Sequence, residues 1–155
     1  MPHVRWNGGM ATGFALTELT ARYARAVDRR EAATLAALFD PDATFVLPPA
    51  LTGTGAATEL RGSGVLASAV VDAVSHLQST RHVVHQQVID VDGSTASGET
   101  YCTAHHVYAG RNGFRDNRIA LRYHDRYVLG DTGWQFSRRE LIVDFSEDLP
   151  VTVPD

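Results

Sequence analysis

The chain contains the stretch Thr80-Arg81-His82-Val83-Val84-His85-Gln86-Gln87-Val88-Ile89-Asp90-Val91. Its many β-branched residues predict a long strand, yet it carries histidines and amides where a core strand would carry valine. Asp92-Gly93 follows as a hairpin-type turn signal, and a second run from Ala96 to Ala109 contains His105-His106. The sequence therefore predicts a β-hairpin with imidazoles on both strands.

The position of the turn predicts which residues of this hairpin face each other. If the turn centres near Gly93-Ser94, the numbers of paired residues sum to about 187 or 188, which places His82 opposite His105 or His106. Directly opposed residues of an antiparallel pair point to the same face. Two histidines then share one face of the sheet, either as functional groups or as hydrogen-bonded structural histidines.

The composition is that of one globular domain. Among 155 residues, 44% are hydrophobic and 21% charged, and the net charge of −4 argues against nucleic acid or an anionic membrane as a partner. The single cysteine, Cys102, excludes an internal disulfide and is expected to be a small buried residue. Because no apolar run is long enough to span a membrane and the N-terminus lacks a signal-peptide layout, we expect a cytoplasmic protein.

Hydrophobic periodicity gives the order of elements. Three helices are expected in the N-terminal half: one ending near Val27, one following a capping box at residues 28–31 and reaching Phe39, and one over residues 65–77. A short strand over residues 43–47 and a loop over residues 51–62 separate the last two. Four long antiparallel strands are then expected over residues 80–91, 96–109, 117–129 and 134–145. The predicted class is α+β, with the helices packed on one face of the sheet.

The last two strands carry two further signals. In the strand over residues 117–129, Asp125 shares the parity of the apolar side chains, so its carboxylate must be paired if it is buried. In the strand that follows, the apolar residues change parity, which predicts a β-bulge near Arg138-Arg139. One of these arginines could anchor an anionic or carbonyl oxygen, while an exposed ion pair is the ordinary role for the other.

Asp28 lies between the first two predicted helices and admits two roles. It could cap the second helix, which is favourable by about 1 kcal/mol, or it could orient a histidine and stabilise its imidazolium. Tyr23, five residues earlier, could lie near it or pack in the core. We expect no metal and no cofactor, because His82 and His85 leave opposite faces of a strand and no zinc or nucleotide-binding motif is present.

Several local motifs, taken in order, resemble the SnoaL-like branch of the nuclear transport factor 2-like superfamily. The matching pieces are Tyr23-Ala-Arg-Ala-Val-Asp28, Leu38-Phe-Asp-Pro-Asp-Ala43, Thr80-Arg-His82, Ala104-His-His106, Arg122-Tyr-His-Asp125 and Gly133-Trp-Gln-Phe-Ser-Arg-Arg139. The resemblance implies a cone-shaped barrel in which a curved, mainly antiparallel sheet wraps around three helices and a deep pocket. The matching motifs span residues 14–146, the expected barrel domain. The polar, Gly-rich residues 1–13 are expected to form a flexible arm, and residues 147–155 a C-terminal tail.

Members of this superfamily, among them scytalone dehydratase, bile-acid 7α-dehydratase and hexachlorocyclohexane dehydrochlorinase, eliminate water or halide with an Asp–His dyad and without a cofactor. By resemblance, Asp28 and His82 form the dyad and Tyr23 and His106, or else His105, are further catalytic groups. Arg139 resembles the pocket arginine of the dehydrochlorinase. The chain departs from scytalone dehydratase in having Val27, where that enzyme has tyrosine, before the dyad aspartate.

The resemblance favours a lyase acting on a small, largely apolar cyclic substrate, and it implies a homo-oligomer, a dimer or trimer. The residues expected to contact substrate are His105, Asp125, Trp134, Phe136 and Leu47. Three alternatives stay open: a polyketide cyclase or isomerase using the same pocket, a hydrolase using an Asp–Arg–Asp arrangement that includes Asp125, and a non-catalytic ligand-binding or dimerisation module.

Overall fold

The computed structural model describes residues 9–155 of the chain. Its helices are α1 (Gly9–Asp28), α2 (Ala32–Ala37), α3 (Pro49–Thr52) and α4 (Ser63–Val74). Its strands are β1 (Phe39–Leu47), β2 (Thr58–Arg61), β3 (Ser79–Asp92), β4 (Thr95–Gly110), β5 (Gly113–Gly130) and β6 (Gly133–Val151).

The strands form a single curved sheet in the order β2-β1-β6-β5-β4-β3. Neighbouring strands are antiparallel except β1 and β6, which are parallel. The sheet does not close, since β2 and β3 lie at its two ends. Helix α1 packs against β3 and β6, and α4 packs against β1. The predicted α+β class and the mainly antiparallel, cone-like sheet are confirmed.

Alternation along β5 separates the core from the surface as predicted. Ile119, Leu121, Tyr123 and Tyr127 are buried, whereas the intervening His124 is exposed. These side chains meet the apolar faces of the helices, and each fully buried leucine or phenylalanine stabilises the fold by about 1.5–3 kcal/mol relative to an exposed one. The helical and N-terminal contributions to this core are Leu16, Leu19, Val27, Leu35, Phe39, Phe45 and Leu66.

The bulge predicted near Arg138-Arg139 is present. The pairing of β5 with β6 shifts between Arg126↔Arg138 and Tyr127↔Phe136, which leaves Ser137 as the extra residue. The buried residue before the bulge is even-numbered, Phe136, and the buried residues after it are odd-numbered, Arg139 and Leu141. The bulge therefore turns the arginine at position 139, and not its neighbour, into the core.

Several element bounds differ from the prediction. Helix α1 begins at Gly9 and β6 ends at Val151, so regular structure extends into the segments expected as arm and tail, while residues 1–8 lie outside the described part of the chain. Strand β1 already begins at Phe39, and the expected loop over residues 51–62 contains the end of α3 and all of β2. No helix within residues 9–155 is both long enough and apolar enough to cross a membrane.

Candidate active site

A cavity of about 530 Å³ lies between the helices and the inner face of the sheet. Its walls are mainly apolar side chains, with a limited set of polar groups, which is the usual make-up of a small-molecule site. The apolar walls include Val27, Phe45, Leu47, Leu51, Ala69, Val70, Ala73, Val74, Leu77, Ala104, Ile119, Leu121, Leu141 and Val143. The polar groups are carried by Tyr23, His76, His82, His106, Tyr108, Asn117, Tyr123, Ser146 and Asp148.

Asp28 and His82 are in direct contact at one side of this cavity. The Nδ1 atom of His82 lies 2.7 Å from Oδ1 of Asp28, and the backbone N–H of His82 donates to Oδ2 over 3.0 Å. The His82 side chain is only 8% exposed. Because Nδ1 is held by the carboxylate, Nε2 is the ring nitrogen left free to exchange a proton.

The turn after α1 holds Asp28 in place. Asp28 is the last residue of the helix, and Arg30 follows in the left-handed region with φ 56°. From there Arg30 donates to the Asp28 carbonyl (2.7 Å), to Oγ1 of Thr80 (2.9 Å) and to the Val74 carbonyl (3.1 Å). Thr80 in turn donates to Oδ1 of Asp28 over 3.0 Å. These bonds join α1, α4 and β3 around one carboxylate.

The predicted capping box at residues 28–31 does not form. Glu31 takes the N-cap position of α2 without a side-chain hydrogen bond, and the Asp28 carboxylate bonds to β3 instead. Burial alone would raise the pKa of Asp28, but the hydrogen bonds from the His82 side chain and backbone and from Thr80 hold that pKa below its usual value. The carboxylate is therefore ionised at neutral pH and able to stabilise an imidazolium.

His106 is the second histidine of the cavity. Its ring centroid lies 5.9 Å from that of His82. The predicted register is wrong, because a shift between Val84 and Gln87 places His82 opposite Ala104. His106 is two residues further on β4, and so still on the same face. Burial, and then the nearby His82, lower the pKa of His106 to about 4, so its ring is neutral at physiological pH.

His105 points to the other face of the sheet. Its Nδ1 atom lies 2.6 Å from Oδ2 of Asp116, and it is not among the cavity-lining residues of the described chain. The choice between His105 and His106, which the sequence left open, is thus made by strand parity. The prediction that His105 contacts substrate is wrong for this cavity.

Tyr23 and Tyr123 form part of the buried cavity wall. Their rings pack edge to face with centroids 5.7 Å apart. Burial raises the pKa of the Tyr23 hydroxyl, and the nearby Arg139 cation only partly opposes this effect. The phenol is therefore protonated over the physiological range and available as a hydrogen-bond donor.

Arg139 and Asp125 lie in the core and do not line the cavity. The guanidinium makes two hydrogen bonds to the Asp125 carboxylate, of 2.8 Å and 2.7 Å, and neither side chain is exposed. It also lies over the rings of Tyr23, Tyr123 and Phe136, at 3.9–4.2 Å from their centroids. The two residues were expected to contact substrate, but in the structure each satisfies the other's buried charge.

Three aromatic or aliphatic residues were expected as pocket walls. Leu47 lines the cavity, in agreement with the prediction. Phe136 is fully buried beneath Arg139, and Trp134 packs against the outside of the core cluster. Neither ring is among the cavity-lining residues within 9–155.

Six polar residues of the cavity were missed from the sequence: His76, Tyr108, Asn117, Tyr123, Ser146 and Asp148. Tyr108 shares the parity of His106, and Asn117 shares that of Ile119, so strand alternation could have identified both. Ser146 and Asp148 lie beyond Phe145, where the last strand was predicted to end. Within residues 9–155, no group of three or more His, Cys, Asp or Glu side chains is arranged to hold a metal ion.

Known structures share this fold. A scytalone dehydratase-like protein from Novosphingobium aromaticivorans is 22% identical, with 92% of this chain and 91% of that chain covered and a TM-score of 0.76. Hexachlorocyclohexane dehydrochlorinase LinA-type3 from Novosphingobium barchaimii is 19% identical, covering 94% and 97%, with a TM-score of 0.76. The Kfla4162 protein from Kribbella flavida is 19% identical, covering 88% and 93%, with a TM-score of 0.77.

The sheet and the helices have the cone-like fold of nuclear transport factor 2-like proteins. A profile of the SnoaL-like domain matches residues 14–140, and the chain belongs to the SnoaL-like family. No curated protein sequence matches the chain. At these identities the similar structures establish the fold alone, so the chemistry must be argued from the cavity itself.

Proposed function

We propose that the protein is a cofactor-independent lyase in which His82, oriented by Asp28, removes a proton from a carbon of a small, largely apolar cyclic substrate. The observation that carries this proposal is the 2.7 Å contact between Nδ1 of His82 and Oδ1 of Asp28 at the wall of a mainly apolar cavity. The ionised carboxylate favours the Nδ1–H tautomer, and Nε2 is then the base.

The elimination proceeds by transfer of the substrate proton to Nε2 of His82. The electrons of the broken C–H bond form the new double bond, and a hydroxyl or halide leaves from the adjacent carbon. Asp28 stabilises the imidazolium while it exists, and low exposure strengthens that interaction. Tyr23, as a protonated phenol, and neutral His106 donate hydrogen bonds to the departing group or to a developing enolate oxygen.

Removing either member of the dyad should cost the contribution of a general base. We expect His82→Ala and Asp28→Asn to lower turnover by about 10²–10⁴-fold, the usual contribution of a general base, while leaving the thermal unfolding midpoint near that of the wild type. The test is a screen of hydroxy-ketones and halogenated rings against wild type and His82→Ala, with products identified by mass spectrometry. Full activity in a folded His82→Ala protein would remove the dyad from the mechanism.

A second histidine of the same strand provides a matched control. His85 lies on the exposed side of β3 and bonds to Oγ1 of Thr103 over 2.8 Å. His85→Ala removes an imidazole three residues from His82 without touching the cavity, so we expect unchanged turnover. Equal loss in both variants would indicate a general effect on β3 rather than base catalysis.

The same geometry would serve a cyclase or isomerase, since both also begin with proton abstraction. Release of water or halide identifies elimination, and a product of unchanged composition identifies isomerisation. The hydrolase alternative is disfavoured by the burial of Asp125 and Arg139, which pair with each other away from the cavity.

A further inference from the structure

The inner face of the sheet arranges the polar groups of the cavity in rows that run across the strands. Register places His82, Ala104, Ile119 and Ser146 in one row from β3 to β6. The dyad therefore lies at the β3 side of the cavity. The side chain at the opposite end of its row is three strands away, roughly 14 Å measured along the sheet.

The next row ends in a carboxylate. His106 pairs with Asn117, and Asn117 pairs with Asp148. The Oδ2 atom of Asp148 accepts a hydrogen bond from the Tyr108 hydroxyl over 2.6 Å, and Oδ1 accepts one from Nε of Arg115. Tyr108, Asn117 and Asp148 all line the cavity as a polar cluster, and Asp148 lies on β6, three strands away from the strand that carries His82.

The hydrogen bonds within this cluster decide what it can bind. The Tyr108 hydroxyl gives its proton to Asp148, and this bond holds the pKa of Asp148 below and that of Tyr108 above their usual values. A carboxylate oxygen that already accepts one hydrogen bond can accept another, and so can the phenol oxygen. Tyr108 and Asp148 thus offer acceptors and need a donor.

The charges of the cluster disfavour charged ligand groups. An anionic group would meet the Asp148 carboxylate, and a cationic group would meet the Arg115 guanidinium that already pairs with it. An uncharged hydroxyl group donates a hydrogen bond without either penalty. The amide of Asn117 and the hydroxyl of Ser146 also line the cavity and supply further hydrogen-bonding groups for the bound hydroxyl.

We propose that Tyr108, Asp148 and Asn117 form a hydroxyl-binding subsite, and that the natural ligand is an elongated apolar ring system with a hydroxyl group at the end distant from the dyad. Only the statement that this ligand is a substrate rests on the proposed lyase function. The subsite itself is a binding property of the cavity and can be measured without turnover.

Two rigid probes of the same shape test the subsite: 4-phenylphenol and 4-methylbiphenyl, which differ by a hydroxyl in place of a methyl group. We expect the wild type to bind the phenol more tightly, by about three- to tenfold, because one net hydrogen bond separates the two complexes. Dissociation constants from fluorescence titration give this ratio. Equal binding of both probes by the wild type would overturn the proposal.

Variants locate the preference. Tyr108→Phe and Asp148→Asn should both reduce the phenol preference while leaving the affinity for 4-methylbiphenyl unchanged. In Asp148→Asn the Arg115 charge loses its partner, so we expect biphenyl-4-carboxylate to bind more tightly than it does to the wild type. A preference that survives in both variants would contradict the assignment.

Asp144→Asn is the matched control. It lies on the same strand, is exposed to a similar degree, and pairs with Arg122 in the same way, but does not line the cavity. We expect it to bind all three probes like the wild type. His82→Ala separates this proposal from the lyase proposal: it should lose turnover but keep the phenol preference, whereas loss of the preference in His82→Ala would place the hydroxyl at the dyad instead.

Discussion

His106 is the side chain whose ionisation depends most on its surroundings. It lies beside His82, and burial together with that neighbour lowers its pKa to about 4 from 6.5. The carboxylates of Asp28 and Asp116 oppose the shift, and His76 adds to it. In the unfolded chain none of these neighbours is present, so the unfolded state binds a proton that the folded state rejects between those two pH values.

This difference predicts an acid-sensitive fold. The free energy of unfolding should be insensitive to His106 above about pH 6.5. Between about pH 6.5 and pH 4 it should decrease, by up to about 3 kcal/mol, because the unfolded chain takes up a proton on His106. His106→Gln should flatten that slope, because glutamine does not titrate. Urea unfolding at several pH values gives the free energies of unfolding of the wild type and of His106→Gln. A His106→Gln profile that parallels the wild type would contradict the prediction.

At the scale of single residues, the sequence predicted the pairing of Asp28 with His82 but not the surroundings of Arg139. Asp28 and His82 could be proposed because their residue types and their places in the chain matched a known pattern. Arg139 was misassigned because sequence position does not show whether a charge faces a cavity or a buried partner. Arg139 and Asp125 lie opposite each other on adjacent strands, and this pairing depends on the register of β5 and β6.

At the scale of elements, the β5–β6 pair combines a bulge with a buried ion pair. The extra residue at Ser137 turns Arg139 inward, opposite Asp125, where three aromatic rings surround its cation. Removing water from both charges is costly, and their bidentate contact offsets that cost only while both partners are present.

Single and double replacements of this pair should therefore differ. Arg139→Met leaves a buried carboxylate without its partner and should destabilise the protein by about 3–5 kcal/mol. Adding Asp125→Leu removes the orphaned charge, so the double variant should be more stable than the single one. Urea unfolding of the three proteins measures both differences, and a double variant that is less stable than Arg139→Met would contradict this account.

The strand pattern could be predicted well from alternation, and the register less well. The apolar parity of β5 and the phase change of β6 were both visible in the sequence, since side chains alternate with a period of two. The shift between Val84 and Gln87 was not visible, because β-branched and polar residues continue through it. The end of β6 was also missed, since the residues that lead into it, 144–148, are mostly polar and exposed.

At the scale of the whole molecule, the last strand completes one side of the cavity. Residues 147–151 pair with residues 114–118 of β5, and Asp148 belongs to this segment. Deleting residues 147–155 would leave the beginning of β5 without a partner on that side and open the cavity to solvent.

Two truncations test this role. Removal of residues 147–155 should lower the Tm by about 5 °C or more, since several net hydrogen bonds are lost together, and should abolish the phenol preference described above. Removal of residues 152–155, which follow the strand, should leave both properties unchanged. Equal Tm values for the two truncated chains would show that the end of β6 adds nothing to the fold.

The contact between Asp28 and the main chain of His82 has a further consequence. Strand β3 is the outermost strand on its side, with no further strand paired to it within residues 9–155, and an unpaired amide in such a place can pair with a strand from another molecule. The Oδ2 atom of Asp28 accepts the hydrogen bond of the His82 amide on this edge. The carboxylate that orients the imidazole thus also protects this position of the edge strand from intermolecular pairing. Replacing Asp28 with alanine would leave the His82 amide free to pair with a second chain.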